Sequence, residues 1–358
     1  MTPIQTVAVV LAVVQVVYLA LLRVGYRRAH RQFTLASRSE SLPPVSVVVA
    51  ARNEAGGIGD LLDALSAQTH PSFEVVLVDD GSEDETLQRM TIWANGRTGV
   101  QIFRNPGSGK KQAVTHGIQN AKHELLAFTD ADCVPGPEWL ATLASLQSPD
   151  IDVVLVGFGP LVPMPGALGK LMRYDALHSA FLTAATIGLN RPFMAVARNL
   201  CYSKATFAAA GGHRGRSVSG DDDLFVQAVH QAGCAGFRYV FDERAFVPSP
   251  APENVSEWFR QKRRHTSAGR DFPLSVQLHL ALIHGSATLL WLAPLVASWW
   301  GAGFLLVRLV ALSLALRKPL RQLHGEDLVG STWLLELGYA AYTSVVPPLG
   351  FLFGGRRW

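Results

Sequence analysis

The chain has 358 residues, 49% hydrophobic and only 17% charged, against a globular norm of roughly 25% charged, and a disordered chain is excluded. Thirty-two Lys and Arg against 28 Asp and Glu leave a net charge of +4, which the membrane positive-inside bias accounts for without any nucleic acid partner. The length allows about two units with ample core. The three cysteines, Cys133, Cys201 and Cys234, lack CxxC spacing, so neither a disulfide framework nor a zinc site is indicated and reducing surroundings are expected.

Residues 4–22 carry no charge, a run close to the ~20 residues that cross a ~30 Å hydrocarbon layer. Arg23, Arg27, Arg28 and Arg31 follow it, and Met1-Thr2-Pro3 precedes it. A cleaved signal peptide would place its basic residues first. The expectation is an uncleaved anchor over residues 1–25 with its carboxyl end in the cytoplasm.

The middle, residues 42–271, has globular composition. The β-branched run 45–50 reads as a buried parallel strand, and a helix with Ile58, Leu61, Leu62 and Leu65 on one face follows it. Residues 73–78, 100–103 and 125–128 read as further strands, and Glu83, Asp84 and Glu85 load a helix start with negative charge. Strand alternating with helix predicts a doubly wound α/β sheet whose site lies beyond the carboxyl ends of its strands.

Residues 274–300 carry no formal charge, 301–316 carry only Arg308, and a basic stretch covers 317–321; this predicts a hairpin of two spans returning to the cytoplasm. The last apolar run, 328–354, contains Glu336 and Pro347-Pro348, which fits either a kinked span or a re-entrant or interfacial helix. Residues 160–189 are also mostly apolar and fit an interfacial helix or ordinary core.

Two nucleotide motifs fail. Gly57-Ile58-Gly59 lacks the third small residue of a dinucleotide fingerprint, and Gly109-Lys110-Lys111 lacks the Ser or Thr and the earlier glycine of a Walker loop. Carboxylates collect at the strand ends instead: Asp79 and Asp80, Asp130 and Asp132, and later Asp221, Asp222 and Asp223. In an extended segment residues i and i+2 point the same way, so Asp130 and Asp132 can face one site and suit Mg²⁺ or Mn²⁺. Asp130 could equally cap a following helix. The three acids at 221–223 could open one, though three in a row exceed what a helix start needs, and Lys110 could sit in a solvated loop.

Asn53-Glu54, Asp79-Asp80-Gly81-Ser82, the stretch from Gly109-Lys110-Lys111 to Gly117-Ile118, Asp130-Ala131-Asp132, Gly220-Asp221-Asp222 and Gln261-Lys262-Arg263-Arg264-His265 occur in the order and approximate spacing of one family. The chain resembles a family 2 inverting glycosyltransferase with a GT-A fold, a Rossmann-like nucleotide-diphospho-sugar transferase fold, in its membrane-embedded branch. The resemblance covers nearly all of residues 44–271. It implies an α/β GT-A catalytic domain over 42–271 on the cytoplasmic side, flanked by transmembrane helices at 1–25 and about three more in 274–354. That makes a multi-pass integral protein of the cytoplasmic membrane.

The resemblance also implies roles. Asn53, Glu54, Asp79, Asp80, Lys110 and Asp130 would bind the nucleotide-sugar donor, most commonly a uridine diphosphate sugar, with Asp79 and Asp80 on base and ribose. Asp130 and Asp132 would hold Mg²⁺ or Mn²⁺ on the diphosphate. Asp222, preceded by Asp221, would be the general base. Asn199, Gln261, Arg264 and His265 would serve the acceptor and diphosphate; His265 stands where the family's membrane branch usually has Trp, which disfavours a long polymer acceptor. Arg260, Lys262, Arg263, Arg264 and Arg270 also read as a basic membrane-surface helix with Trp258 and Phe259. The expected reaction is a single transfer to a lipid or lipid-linked acceptor at the cytoplasmic leaflet, with a processive polysaccharide synthase as the alternative and a silent scaffold as a third reading.

Overall fold

The structure, a computed structural model, describes residues 2–147, 152–213 and 221–353, and only the backbone at Asp221. The strands are β1 Val45–Ala51, β2 Phe73–Asp79, β3 Val100–Arg104, β4 Leu125–Phe128, β5 Val153–Gly157, β6 Leu200–Ser203 and β7 Gly236–Val240. The helices up to the end of the sheet are α1 Pro3–Thr34, α2 Ile58–Ser66, α3 Thr86–Ala94, α4 Lys110–Asn120, α5 Trp139–Ser145, α6 Gly166–Gly188, α7 Lys204–Ala209 and α8 Asp221–Ala232. Then come α9 Val255–Thr266, α10 Leu274–Gln322 and α11 Thr332–Phe353. The described chain divides into a sheet unit, residues 30–162 and 190–250, and a helical unit, residues 2–29, 163–189 and 251–353.

In the sheet unit the strand order is β3-β2-β1-β4-β6-β5-β7. The first four are parallel, as the alternation with helices predicts, and β1 is buried on both faces, as a central parallel strand must be. Val47 and Val49 join Ile58, Leu61, Leu62 and Leu65 of α2 in one core cluster. Each such side chain contributes about 1.5–3 kcal/mol on burial. On the opposite face α4 approaches β1 so closely that a Cβ at Gly117 would lie 2.6 Å from Val48 Cγ1. The register aligns Ala51 with Asp79, so the loops after β1 and β2 leave the sheet side by side.

The sheet departs from a purely doubly wound one at β6, which runs antiparallel between β4 and β5. Its segment reads in sequence as part of an acceptor side. Residues 163–189 and 251–271, inside the expected 42–271 domain, group with the apolar helices rather than with the sheet. Their apolar side chains, among them Phe181, Ala184 and Trp258, are buried in that unit.

In the helical unit α10 leaves helical geometry at Ser298 (φ 52°, ψ −139°). A Cβ on Gly301 would clash with the carbonyl of Ala293, whereas eight residues of straight helix span ~12 Å. The chain therefore doubles back at Ser298, giving the hairpin expected from residues 274–316. Among the described residues two helices, Pro3–Thr34 and Leu274–Gln322, are long and apolar enough to cross a membrane. The last apolar run forms the single helix α11.

A set of buried polar side chains inside this unit pair with one another. Arg308, 4% exposed, and Glu336, 2% exposed, form an ion pair at 2.5 Å. Glu336 also accepts from the Tyr174 hydroxyl at 2.9 Å, and Arg308 Nε donates to Gln15 Oε1 at 3.2 Å. Gln15 in turn donates to Ser286 Oγ at 2.7 Å and to the carbonyl of Ile283 at 2.8 Å. One network thus joins α1, α6, both arms of α10 and α11.

The backbones of α1 and α6 touch, since a Cβ on Gly25 would clash with the carbonyl of Ala185, and one on Gly188 with that of Gly25. Small residues at such crossings let helices approach. Gly25→Leu is expected to destabilise the unit by about 1–3 kcal/mol through overpacking, read as a fall in the thermal midpoint of the detergent-purified protein.

Candidate active site

The loops after β1, β2 and β4 build the site. Asn53 adopts φ +55°, a conformation that Asn tolerates better than most residues. From there its backbone N–H donates to Ser82 Oγ at 3.1 Å and its Oδ1 accepts from the Glu83 N–H at 2.8 Å. Glu54 N–H donates to Thr86 Oγ1 at 2.7 Å. Asn53 and Glu54 therefore lock the first loop to the second by their backbones, which leaves the Glu54 carboxyl to face Asp130 and Asp132.

Asp79 and Asp80 are buried, at 3% and 5% exposure. Asp79 Oδ1 accepts from the Ser82 N–H at 3.2 Å. The Asp80 carboxylate accepts from the Gly109 N–H at 2.8 and 2.9 Å and from Asn105 Nδ2 at 2.5 Å. Gly109 takes φ +97° to present that N–H, a conformation open to glycine and closed to most residues. Asp80 thereby fixes the start of α4, and with it Lys110, whose ammonium pairs with Asp130 Oδ1. Asn105 is a site residue that sequence reasoning missed, for its position between a strand and a glycine loop carries no motif.

Asp130, Asp132 and Cys133 place ligand atoms within 4.8 Å of one another. Burial, and then the Asp130 charge, raise the Asp132 carboxyl above the ordinary range, with Arg198 acting the other way. Burial, then Asp132 and Asp130, push Glu54 up to about 7, against the opposing pull of Lys110. Folding thus favours protonated Glu54. The associated stability is fully present below the unfolded pKa of 4.5 and is lost as pH rises toward about 7. The thermal midpoint of cation-free protein is expected to fall between about pH 5 and about pH 7.5, and Glu54→Gln is expected to flatten that fall.

Asp222 Oδ2 accepts from the Ala197 N–H at 2.8 Å and Asp223 Oδ1 from the Ala195 N–H at 3.0 Å. The carboxylates at the start of α8 thus anchor residues 195–197. The side chain of Asp221 lies outside the described residues. Lys110, Asp130 and Asp222 line one cavity of about 40 Å³, together with Thr129 and His213. His213 Nδ1 lies 3.3 Å from Thr115 Oγ1. Thr129 does not stand out in sequence, being masked by the two aspartates beside it.

Asn199 is corrected. It has no exposed surface; it accepts from Trp139 Nε1 at 3.1 Å and donates to the carbonyls of Phe158 at 2.8 Å and Ala245 at 2.7 Å. An acceptor sugar cannot reach it, and it holds the fold together. The neighbouring Arg198, which donates to the Gly159 carbonyl at 2.6 Å, is the residue of that segment whose charge reaches Asp132. Gln261, Arg264 and His265 lie on α9 in the helical unit, half-buried, half-buried and exposed. There Lys262 pairs with Asp175 at 2.5 Å, and Trp258 stacks on Tyr342 at 4.7 Å.

Parallel strands end in carboxylates beside a helix opened by a lysine. Residues 46–206 match the model of glycosyl transferase family 2. It is 27% identical over 199 residues to glycosyltransferase AglE of Haloferax volcanii, covering 54% of this chain and 64% of that protein. It is 32% identical over 124 residues to the undecaprenyl-phosphate 4-deoxy-4-formamido-L-arabinose transferase of Yersinia enterocolitica, covering 33% and 38%. The chain therefore spans less than two thirds of either relative. A solved structure of the mannosyltransferase PcManGT from Pyrobaculum calidifontis, in complex with GDP-Man and Mn²⁺, matches at a TM-score of 0.58 and 18% identity over 98% of this chain and 99% of that one. That likeness establishes the shared fold.

Proposed function

We propose that the protein is a membrane-bound inverting glycosyltransferase that moves a sugar from a uridine diphosphate donor to a lipid or lipid-linked acceptor at the cytoplasmic leaflet. The observation that carries this reading is the single cavity shared by Lys110, Asp130 and Asp222, which sets a cation, a metal-type carboxylate and a carboxylate base around one small space. Asp222 takes the proton from the acceptor hydroxyl as it attacks, and one displacement inverts the anomeric centre. Asp79 and Asp80 serve the nucleoside end, Asp80 also holding the Lys110 loop in place. Gln261, Arg264 and His265 serve the acceptor side.

The donor set of Asp130 and Asp132, beside the Glu54 carboxyl that burial and then these two acids raise, fits Mg²⁺ or Mn²⁺. Such a cation would neutralise charge on the departing diphosphate. PcManGT, of like fold, carries Mn²⁺ in its complex. Lipid as acceptor is supported by the two long apolar helices and by the relative named for undecaprenyl phosphate.

The test is release of nucleotide from labelled UDP-sugars by the purified protein, with and without lipid extract. Release that requires both lipid and divalent cation, with one sugar per product, is expected. A ladder of growing products refutes single transfer. Unchanged turnover in Asp132→Asn refutes the cation site.

A further inference from the structure

Contacts inside the helical unit set the depth of the α10 hairpin. Gln15 Nε2 on α1 donates to Ser286 Oγ at 2.7 Å, and the Tyr18 hydroxyl lies 3.4 Å from His279 Nε2. The first arm of α10 therefore runs antiparallel to α1. Pro3 stands twelve residues before Gln15, and the turn at Ser298 twelve after Ser286, so both lie ~18 Å from that contact, at one level. The second arm agrees: Arg308 Nε reaches Gln15 Oε1, and ten residues of helix from Ser298 cover ~15 Å.

In the other direction Arg23 follows Gln15 by eight residues, a further ~12 Å. The turn and Arg23 thus stand ~30 Å apart, the thickness of a hydrocarbon core. Arg317, nineteen residues beyond Ser298, falls at nearly the same depth as Arg23. Between these levels the two segments carry one formal charge, Arg308, buried against Glu336.

The turn itself has no polar loop. Leu295 is 82% exposed and Trp299 67%, and Trp299 stacks on Trp300 at 4.1 Å. A surface shaped for a protein partner has a polar rim. Here the exposed apolar surface continues down both arms through Leu289, Leu292, Leu306 and Val310, and along α1 through Val7 and Val10. Lipid fits a surface without a rim. An indole N–H is a donor that hydrocarbon cannot satisfy and a headgroup can, which is why tryptophan collects at that boundary.

We propose that the turn at Ser298 seats Trp299 and Trp300 in the headgroup boundary of the leaflet opposite Arg23, so that the hairpin crosses the bilayer in both directions and ends in phospholipid rather than in an aqueous loop. The inference rests on the membrane reading given above and adds a second point of attachment, on the far side.

The experiment is tryptophan fluorescence of the full-length protein in phosphatidylcholine vesicles whose lipids carry a nitroxide either just below the headgroup or near the bilayer centre. The signal of the pair is the difference between wild type and Trp299→Phe/Trp300→Phe, whose thermal midpoint is expected to stay unchanged because both rings face outward. That signal is expected to lose more intensity to the nitroxide near the headgroup. Leu289→Trp in the same double-Phe background places a reporter halfway down the first arm, and its added emission is expected to lose more to the central nitroxide.

A pair quenched more from the bilayer centre means a hairpin that stops inside the hydrocarbon, and overturns the proposal. Shallow quenching of both reporters means helices lying along the surface, and overturns it too. A pair quenched by neither lipid is covered by protein, such as a second copy, with the same consequence. In all three cases protein that floats with the vesicles leaves the membrane reading standing, whereas protein that fails to float overturns that reading and the anchor with it.

Discussion

Asp222→Asn is expected to lower turnover by about 10²–10⁴-fold, the usual contribution of a general base, with the affinity for UDP unchanged. The amide keeps the shape and can still accept from the Ala197 N–H, so residues 195–197 stay anchored. What it cannot do is take a proton. Steady-state nucleotide release together with UDP binding separates the two effects, and a variant that loses binding along with turnover would move Asp222 from chemistry to architecture. The size of the loss also reports on the acceptor. An alcohol must shed its proton during attack, whereas a phosphomonoester oxygen is largely ionised at neutral pH, since its second pKa is about 6. A loss of less than about tenfold would therefore mean that the nucleophile arrives already charged, and the base assignment would fall.

Arg308→Leu is expected to destabilise the helical unit by about 3–5 kcal/mol, because it strands the Glu336 carboxylate in a closed environment. Glu336→Gln is expected to cost a similar amount, since one amide oxygen replaces two carboxylate oxygens that serve Tyr174 and Arg308 separately and the Arg308 charge loses its counter-ion. Arg308→Met combined with Glu336→Leu should recover most of the loss, as replacing both members of a buried pair by apolar groups is often neutral. The measurement is the thermal midpoint and the monodisperse yield of each variant in one detergent. A single-substitution variant indistinguishable from wild type would show that the pair is solvated and contributes nothing. Ionisable side chains among apolar helices are costly unless paired, and here the pairing runs through five helical segments.

The parallel part of the sheet was legible because a strand buried on both faces must be a near-continuous β-branched run, and residues 45–50 and 73–78 are such runs. The acidic positions were legible because strand ends in an α/β sheet fall at predictable places. β6 was not, since four residues with an Arg-Asn before them carry no direction, and an antiparallel insertion depends on partners more than 40 residues away. The role of Asn199 was hidden for a related reason. An amide suits a ligand and a buried staple equally well, and only the positions of Trp139, Phe158 and Ala245 decide between them. The grouping of α6 and α9 with the apolar helices was masked by residues such as Arg173, Asp175 and Lys262, whose charges read as solvent-facing until Asp175 and Lys262 are seen to face each other.

Asn199 sits two residues after the amide that receives Asp222, inside the rigid short turn leading into β6. A screen that scores activity alone would rank its loss beside that of Asp222, although Asn199 is wholly buried. Asn199 and Asp222 meet the same short turn from different parts of the chain, and only a folding measurement run in parallel can tell damage to the frame from damage to the reaction.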